Sequence, residues 1–226
     1  MADTNCRIES DLHGERRIPA DAYYAVQTAR GMENFHISGV PISQYPSLIR
    51  GLAMVKLAAA RANHEAGSLP KPILAGIEAA CHELIDAKLH DQFAIDCIQG
   101  GAGASTNMNA NEVIANRALE LMGHAKGEYQ HCHPNDHVNL YQSTNDAYPT
   151  ALHLAIALPN RDLARELNKL VEALKHKGEA FQSIIKMQSG TTRIGKYVLN
   201  HSFIVPGLVA VTFSVASGFL LAFLVA

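Results

Sequence analysis

One long segment with helical periodicity limits what this chain can fold into. Within residues 146–187, large apolar side chains recur at intervals of three, four and seven residues: Leu163, Leu167, Leu170, Leu174, Phe181 and Ile185. They lie on one face of a helix that would be about 60 Å long. A lone helix cannot bury such a face, so the pattern predicts a helix bundle. Pro159 lies inside this segment and predicts a kink, or a restart at Asn160.

The rest of the chain predicts a mainly α fold. Apolar periodicity indicates helices over residues 47–66, 72–88 and 105–122. Residues 1–45 contain frequent Gly and Pro, and we expect an extended arm and loops there. The chain has no Trp and only 6% aromatic residues, which favours aliphatic helix packing over a β-sandwich.

Charge and cysteine content exclude several classes of protein. Nineteen basic and 21 acidic residues give a net charge of -2, so we expect no nucleic-acid partner. The four cysteines form no C-x-x-C pair, and the N-terminus lacks an apolar signal region, so a cytoplasmic location is the default expectation.

The C-terminal segment leaves a second location open. Residues 203–226 contain no charged side chain, and 24 residues in a helix are long enough to cross a bilayer. Several Gly, Ser and Pro residues weaken this pattern, and no basic cluster follows it. Membrane association through residues 203–226 therefore stays as an alternative.

The first candidate site is a Gly-rich stretch before an Asn-rich helix. Residues 100–103 read Gly-Gly-Ala-Gly, and the next helix carries Asn107, Asn109, Asn111 and Asn116. Unpaired N–H groups at a helix N-terminus suit an anion such as a carboxylate. A tight turn before a capped helix explains the glycines equally well, whereas the asparagines indicate a hydrogen-bond network.

The second candidate site lies at the start of the long helix. Ser143, Thr144 and Asn145 place hydroxyl and amide groups where a carboxylate and an amine would be bound without a full charge. Such residues are also the usual N-caps of helices. Both interpretations remain open from the residues alone.

Metal binding and hydrolase chemistry are disfavoured. His131, Cys132, His133 and His137 are crowded and match no common zinc spacing, so we expect no metal. The sequence contains no G-x-S-x-G element of a serine hydrolase.

At these residues the chain resembles the aspartase/fumarase superfamily, and most closely its aspartate ammonia-lyases. The resemblance covers about residues 7–187. Its motifs are RIESDL at 7–12, PADAYY at 19–24, GGAG at 100–103, NMNANE at 107–112, PNDHVN at 134–139 and QSTND at 142–146.

The resemblance implies elimination of ammonia from L-aspartate to give fumarate, without a cofactor. It implies that Ser143 and Thr144 bind the reacting carboxylate, that Thr144 and Asn145 lie near the departing amine, and that Asn107 supports them. It further implies an N-terminal helical domain (1–145), the first helix of a central bundle (146–187) and a homotetramer. Residues 188–226 are expected to be an apolar tail outside the family.

The sequence also departs from the family pattern. Ala104 stands where the resemblance implies a carboxylate-binding Thr, and Ser105 would replace it imperfectly. The Gly-Ser-Ser loop that carries the family's general-base serine does not occur in the 226 residues, so we assign no catalytic residue. We therefore expect an incomplete, inactive lyase. The alternatives are a non-catalytic, membrane-anchored or interaction protein, and a fumarase-like hydratase.

Overall fold

The computed structural model describes residues 5–181 of the chain. It divides into two compact units, Met1–Asn160 and Arg161–Ala226. The predicted tail at 188–226 and the end of the predicted helix at 146–187 lie outside the described residues. The proposed domain ranges stay predictions.

The expected mainly α fold is confirmed. Its five helices in the described part of the chain are α1 (Val26–Asn34), α2 (Pro46–Glu65), α3 (Lys71–Ile85), α4 (Ala104–Leu121) and α5 (Thr144–Ala180). Helices α2 to α4 begin within one residue of the predicted positions. Of the two outcomes expected at Pro159, the restart at Asn160 is wrong, because α5 is one 37-residue helix that contains Pro149 and Pro159, and the kink stays a prediction. An interior proline lacks a backbone N–H and so removes one hydrogen bond of the helix, whereas the neighbouring backbone hydrogen bonds can still form.

Residues 5–45 contain more regular structure than the predicted arm and loops. Strands β1 (Cys6–Asp11) and β2 (Gly14–Pro19) form an antiparallel hairpin, in which Cys6 pairs with Pro19. Arg7 fastens the hairpin to the following segment, since its guanidinium donates to the Ala22 and Tyr24 carbonyl oxygens, both at 2.7 Å. This arrangement brings the chain to the start of α1.

A buried carboxylate holds α1 against α4. Oε2 of Glu112 accepts hydrogen bonds from the Ala25 and Thr28 N–H groups (2.8 and 3.1 Å) and from the Thr28 hydroxyl (2.6 Å), while Oε1 accepts from the Gln27 N–H (2.8 Å). Burial raises the pKa of Glu112 to about 7, against the opposing effect of these four donors. When ionised, Glu112 also places a negative charge at the N-terminus of α1, where it interacts favourably with the helix dipole.

The core lies between α2, α3, α4 and the first turns of α5. Its fully buried large side chains include Ile49, Leu52, Ile77, Leu84, Ile114 and Leu119. Gly51 lets α5 approach α2 closely, because a Cβ at this position would overlap the Ala151 carbonyl oxygen. The contact fixes the start of α5, which carries the second candidate site.

The apolar face predicted for the long helix is solvent-accessible in Arg161–Phe181. Leu163, Leu170, Leu174 and Phe181 are 56, 48, 51 and 48% exposed. Several large apolar side chains on one helix face are the pattern of a surface that packs against other helices.

We predict that Glu112→Gln lowers the free energy of unfolding by about 1–3 kcal/mol, the cost of leaving a buried polar group unpaired. Both oxygens of the Glu112 carboxylate accept backbone N–H groups. Whichever way the glutamine amide is turned, its NH₂ group therefore faces one of these N–H donors, and neither has an acceptor. Urea unfolding measures the change, and Glu65→Gln on exposed α2 surface is the matched control. Equal stability of the two variants would contradict the role of Glu112.

Candidate functional site

The start of α5 is capped by the residues expected to bind substrate. The Ser143 hydroxyl accepts the Asn145 N–H at 3.2 Å, and its carbonyl accepts the N–H groups of Asp146 and Ala147 at 3.1 and 3.0 Å. Ser143 therefore is an N-cap. Its side chain and that of Asn145 are nevertheless exposed, and Thr144 is half-buried, so all three remain open to a ligand.

The fold brings the two candidate stretches together. Gly103 packs directly under the Tyr148 ring on the first turns of α5, leaving no room for a Cβ. Gly101, Ala102 and Gly103 all adopt positive φ angles of 72, 49 and 86°, which two glycines accommodate without strain. The Gly-rich turn thus ends beside the N-terminus of α5.

The first turn of α4 is partly used by the protein itself. The Gln99 side chain accepts the Thr106 N–H at 2.9 Å and also donates to the Thr106 hydroxyl. Ser105 faces α1, with its hydroxyl oxygen 3.6 Å from the position of a Cβ on Gly31. Ala104, which replaces the threonine implied by the resemblance, is the first residue of α4.

A buried lysine lies behind the candidate site. Lys56 of α2 is fully buried, and its amine donates to Asn139 Oδ1 at 2.8 Å and to Gln142 Oε1 at 3.0 Å. Burial lowers the pKa of Lys56 to about 7. The lysine thereby ties α2 to the segment that leads into α5.

Asn107 continues this network to Thr144. Its Nδ2 donates to Asn139 Oδ1 at 3.1 Å and to the Thr144 hydroxyl oxygen at 3.3 Å. Asn107 Oδ1 is buried and has no hydrogen-bond partner in the described part of the chain. The asparagine-rich helix therefore forms the predicted kind of network, and Asn107 contacts Thr144 directly.

The network has a fixed direction. The Lys56 amine donates to Asn139 Oδ1, so this oxygen faces Lys56, and it also accepts an N–H from Asn107. The Thr144 oxygen then accepts from Asn107, which leaves the Thr144 O–H hydrogen free to donate. Such a hydroxyl is oriented to bind an anion.

Sequence reasoning missed Lys56, Asn139 and Gln142. Lys56 follows Ile49, Leu52 and Ala53 by seven, four and three residues, so it lies on the buried face of α2. A lysine in phase with an apolar face was the available signal. Its acceptors lie in the motifs at 134–139 and 142–146, but no signal in the sequence pairs them with a lysine more than 80 residues away.

The crowded His and Cys residues do not act together. Cys132 is fully buried, and burial raises the pKa of its thiol to about 12. Nδ1 of His133 accepts the Asn135 and Asp136 N–H groups at 3.2 and 3.1 Å, and Nδ1 of His137 accepts the His133 N–H at 2.8 Å. His131 instead lies against His124.

Residues 5–181 contain no helix that is both long and apolar enough to span a bilayer.

We predict that Lys56→Met removes a pH dependence of stability. The folded pKa of about 7 lies below the ordinary 10.5, so between these values Lys56 in the unfolded chain binds more protons, and the contribution of Lys56 to stability rises with pH. The rise should amount to a few kcal/mol. Urea unfolding at pH 7, 8.5 and 10 measures it, with Lys71→Met on exposed α3 surface as the control. The prediction fails if Lys56→Met keeps the wild-type slope.

Known proteins that resemble this chain in sequence and in structure are lyases and fumarases. Aspartate ammonia-lyases of Pseudomonas aeruginosa and Escherichia coli are 56% and 54% identical over 181 and 184 residues, or 80% and 81% of this chain. A fumarate lyase:delta crystallin structure from Brucella melitensis is 52% identical, with a TM-score of 0.79 over 82% of this chain and 43% of its own. A class II fumarase structure from Schistosoma mansoni is 35% identical, with a TM-score of 0.75 over 82% of this chain and 39% of its own.

Two family profiles match different parts of the chain. The profile of an anaerobic C4-dicarboxylate membrane transporter matches residues 175–226. The lyase profile matches residues 14–193, although the chain spans only 38% of the length of the aspartate ammonia-lyases. The lyase match covers most of the chain and agrees with the helical fold, and the chain therefore belongs to the lyase family of the aspartase/fumarase superfamily.

Proposed function

We propose that this chain forms the carboxylate-binding part of an aspartate ammonia-lyase site, which converts L-aspartate to fumarate and ammonia. The observation that carries the proposal is the Asn107 to Thr144 hydrogen bond, which leaves the Thr144 O–H free to donate. The high identity to aspartate ammonia-lyases supports the choice of substrate.

The reaction explains why hydroxyl donors are useful here. A base removes the proton from Cβ of aspartate, and the electron pair is delocalised onto the neighbouring carboxylate. This carboxylate gains charge before the C–N bond breaks and ammonia leaves with the bonding pair. Donors already oriented toward it stabilise the transition state more than the substrate. In this proposal Ser143 and Thr144 are those donors, Asn107 positions Thr144, and Asn145 lies beside the amine.

The site also needs groups from elsewhere. The general-base serine loop implied by the resemblance does not occur in the sequence, and family sites are implied to combine three subunits of a homotetramer. The exposed α5 face at Leu163, Leu170 and Leu174 is consistent with assembly. We propose that activity appears only when the missing loop is supplied and the subunits assemble.

We predict that the purified 226-residue chain does not form fumarate from L-aspartate at more than about 1 per second, a low turnover for an enzyme. Residues 1–187, extended with the corresponding remainder of the Escherichia coli relative, should form it. In that extended chain, Thr144→Val should lower kcat by about 10²-fold, as loss of one oriented donor does.

Fumarate absorbance in the ultraviolet measures both rates. Thr150→Val, on the exposed surface of α5, is the matched control and should retain full activity. Equal activity of the two valine variants would exclude Thr144 as a substrate donor. Turnover by the original chain would show that it already contains a base.

A fumarase-like hydratase is the second candidate function. Similarity to the class II fumarase structure favours it, as does His133 before Pro134, which resembles fumarases. The same extended chain distinguishes the two, since a hydratase forms fumarate from malate and a lyase from aspartate.

We further propose that residues 203–226 attach the chain to a membrane. The transporter match supports this, and the two functions are chemically related because aspartate and fumarate are both four-carbon dicarboxylates.

We predict that the full chain sediments with membranes and resists extraction by high salt, because an apolar segment, unlike a charged surface, is not released by ionic screening. A chain ending at Met187 is the control and should leave the membrane fraction. Release of the full chain by salt, or sedimentation of both chains, would contradict attachment through residues 203–226.

A further inference from the structure

Three metal-binding side chains converge in the loop after α4, away from the proposed substrate site. One ligand atom each of His124, Glu128 and His131 lies within 4.8 Å of the other two. The imidazole rings of His124 and His131 are stacked, with centroids 3.8 Å apart and planes 7° from parallel. Glu128 Oε2 lies 3.5 Å from His124 Nδ1.

The backbone of this loop is fixed by hydrogen bonds at each of the three positions. The His124 N–H donates to the Leu119 carbonyl at 2.9 Å, which closes the C-terminus of α4 after Gly123. The Glu128 carboxylate accepts the Ala125 N–H at 3.0 Å, and the Glu128 carbonyl accepts the His131 N–H at 3.0 Å. These hydrogen bonds therefore hold the backbone of all three residues close together.

The loop is also anchored to the core on both sides of these residues. The Gly127 N–H donates to Asn116 Oδ1 at 2.9 Å, and the Tyr129 hydroxyl donates to Glu9 at 2.8 Å. Cys132, which follows His131, is fully buried. Such anchoring lowers the entropy lost when the three ligands are brought onto one ion.

The chemistry of the ligands selects the class of ion. Two imidazoles, which are borderline ligands, together with one carboxylate suit Zn²⁺ and Co²⁺ and, in a tetrahedral site, leave one position for water. Zinc–ligand bonds of about 2.0–2.2 Å place the ligand atoms about 3.4 Å apart. His131 is exposed and the other two residues are half-buried, which leaves room for the side-chain rotation that would bring the ligand atoms to this spacing.

We propose that His124, Glu128 and His131 form a binding site for a divalent transition metal ion of the Zn²⁺ class. The ion replaces the stacked contact between the two rings with coordination by both, and it links the end of α4 to the segment before the π-helical turn Pro134–Val138. The site is separate from the proposed aspartate site and does not depend on that function.

The test is titration of the full chain, in mild detergent, with ZnCl₂ by isothermal calorimetry, and with CoCl₂ by visible absorbance. We expect His131→Gln and Glu128→Gln to bind one ion fewer per chain, or to bind it at least tenfold more weakly. His131→Cys should keep binding, because a thiolate replaces the imidazole as a zinc ligand. His153→Gln, which removes an exposed histidine of α5, is the matched control.

Circular dichroism of each variant separates loss of binding from loss of fold. The proposal is overturned if His131→Gln binds as many ions as wild type with the same affinity. It is also overturned if His153→Gln loses the same ion, since zinc would then bind surface histidines without selection.

Discussion

The buried amine of Lys56 is the interaction on which the candidate site depends. It joins α2 to Asn139 and Gln142, and through Asn139 it reaches Asn107 on α4. Removing a lysine side chain from water is costly, and its lowered pKa reflects this cost. Two directed acceptors offset part of it. These two hydrogen bonds help to fix the position of the 139–142 segment, and with it the first turn of α5.

The network determines which groups donate and which accept hydrogen bonds, from Lys56 to Thr144. Amides present either an oxygen or an NH₂ group, so a chain of amides alone has no preferred polarity. Lys56 at one end removes this ambiguity, and each following group is set in turn until Thr144. The fold can thus orient the Thr144 hydroxyl by means of a buried amine that lies behind the candidate site.

The helices were predictable from the sequence because each carries its own apolar period. Helix α1 was not, since it depends on the Glu112 carboxylate more than 80 residues away. The same limit applies to the site. Asn107, Ser143 and Thr144 were proposed from motif and composition. Asn139 and Gln142 lie in the same motifs, but their role as acceptors becomes visible only when Lys56 is located. Tertiary hydrogen bonds leave no periodic trace in the sequence.

Ala104 shows how this network bears on the proposed chemistry. A methyl group at the first residue of α4 donates nothing, and Ser105 faces Gly31 on α1. Stabilisation of a charged carboxylate then relies more heavily on Ser143 and Thr144, of which Ser143 also caps α5. Capping uses the Ser143 oxygen as an acceptor and leaves its hydrogen available. Both hydroxyls therefore accept from the protein and retain a hydrogen to donate, which is the arrangement that a developing negative charge requires.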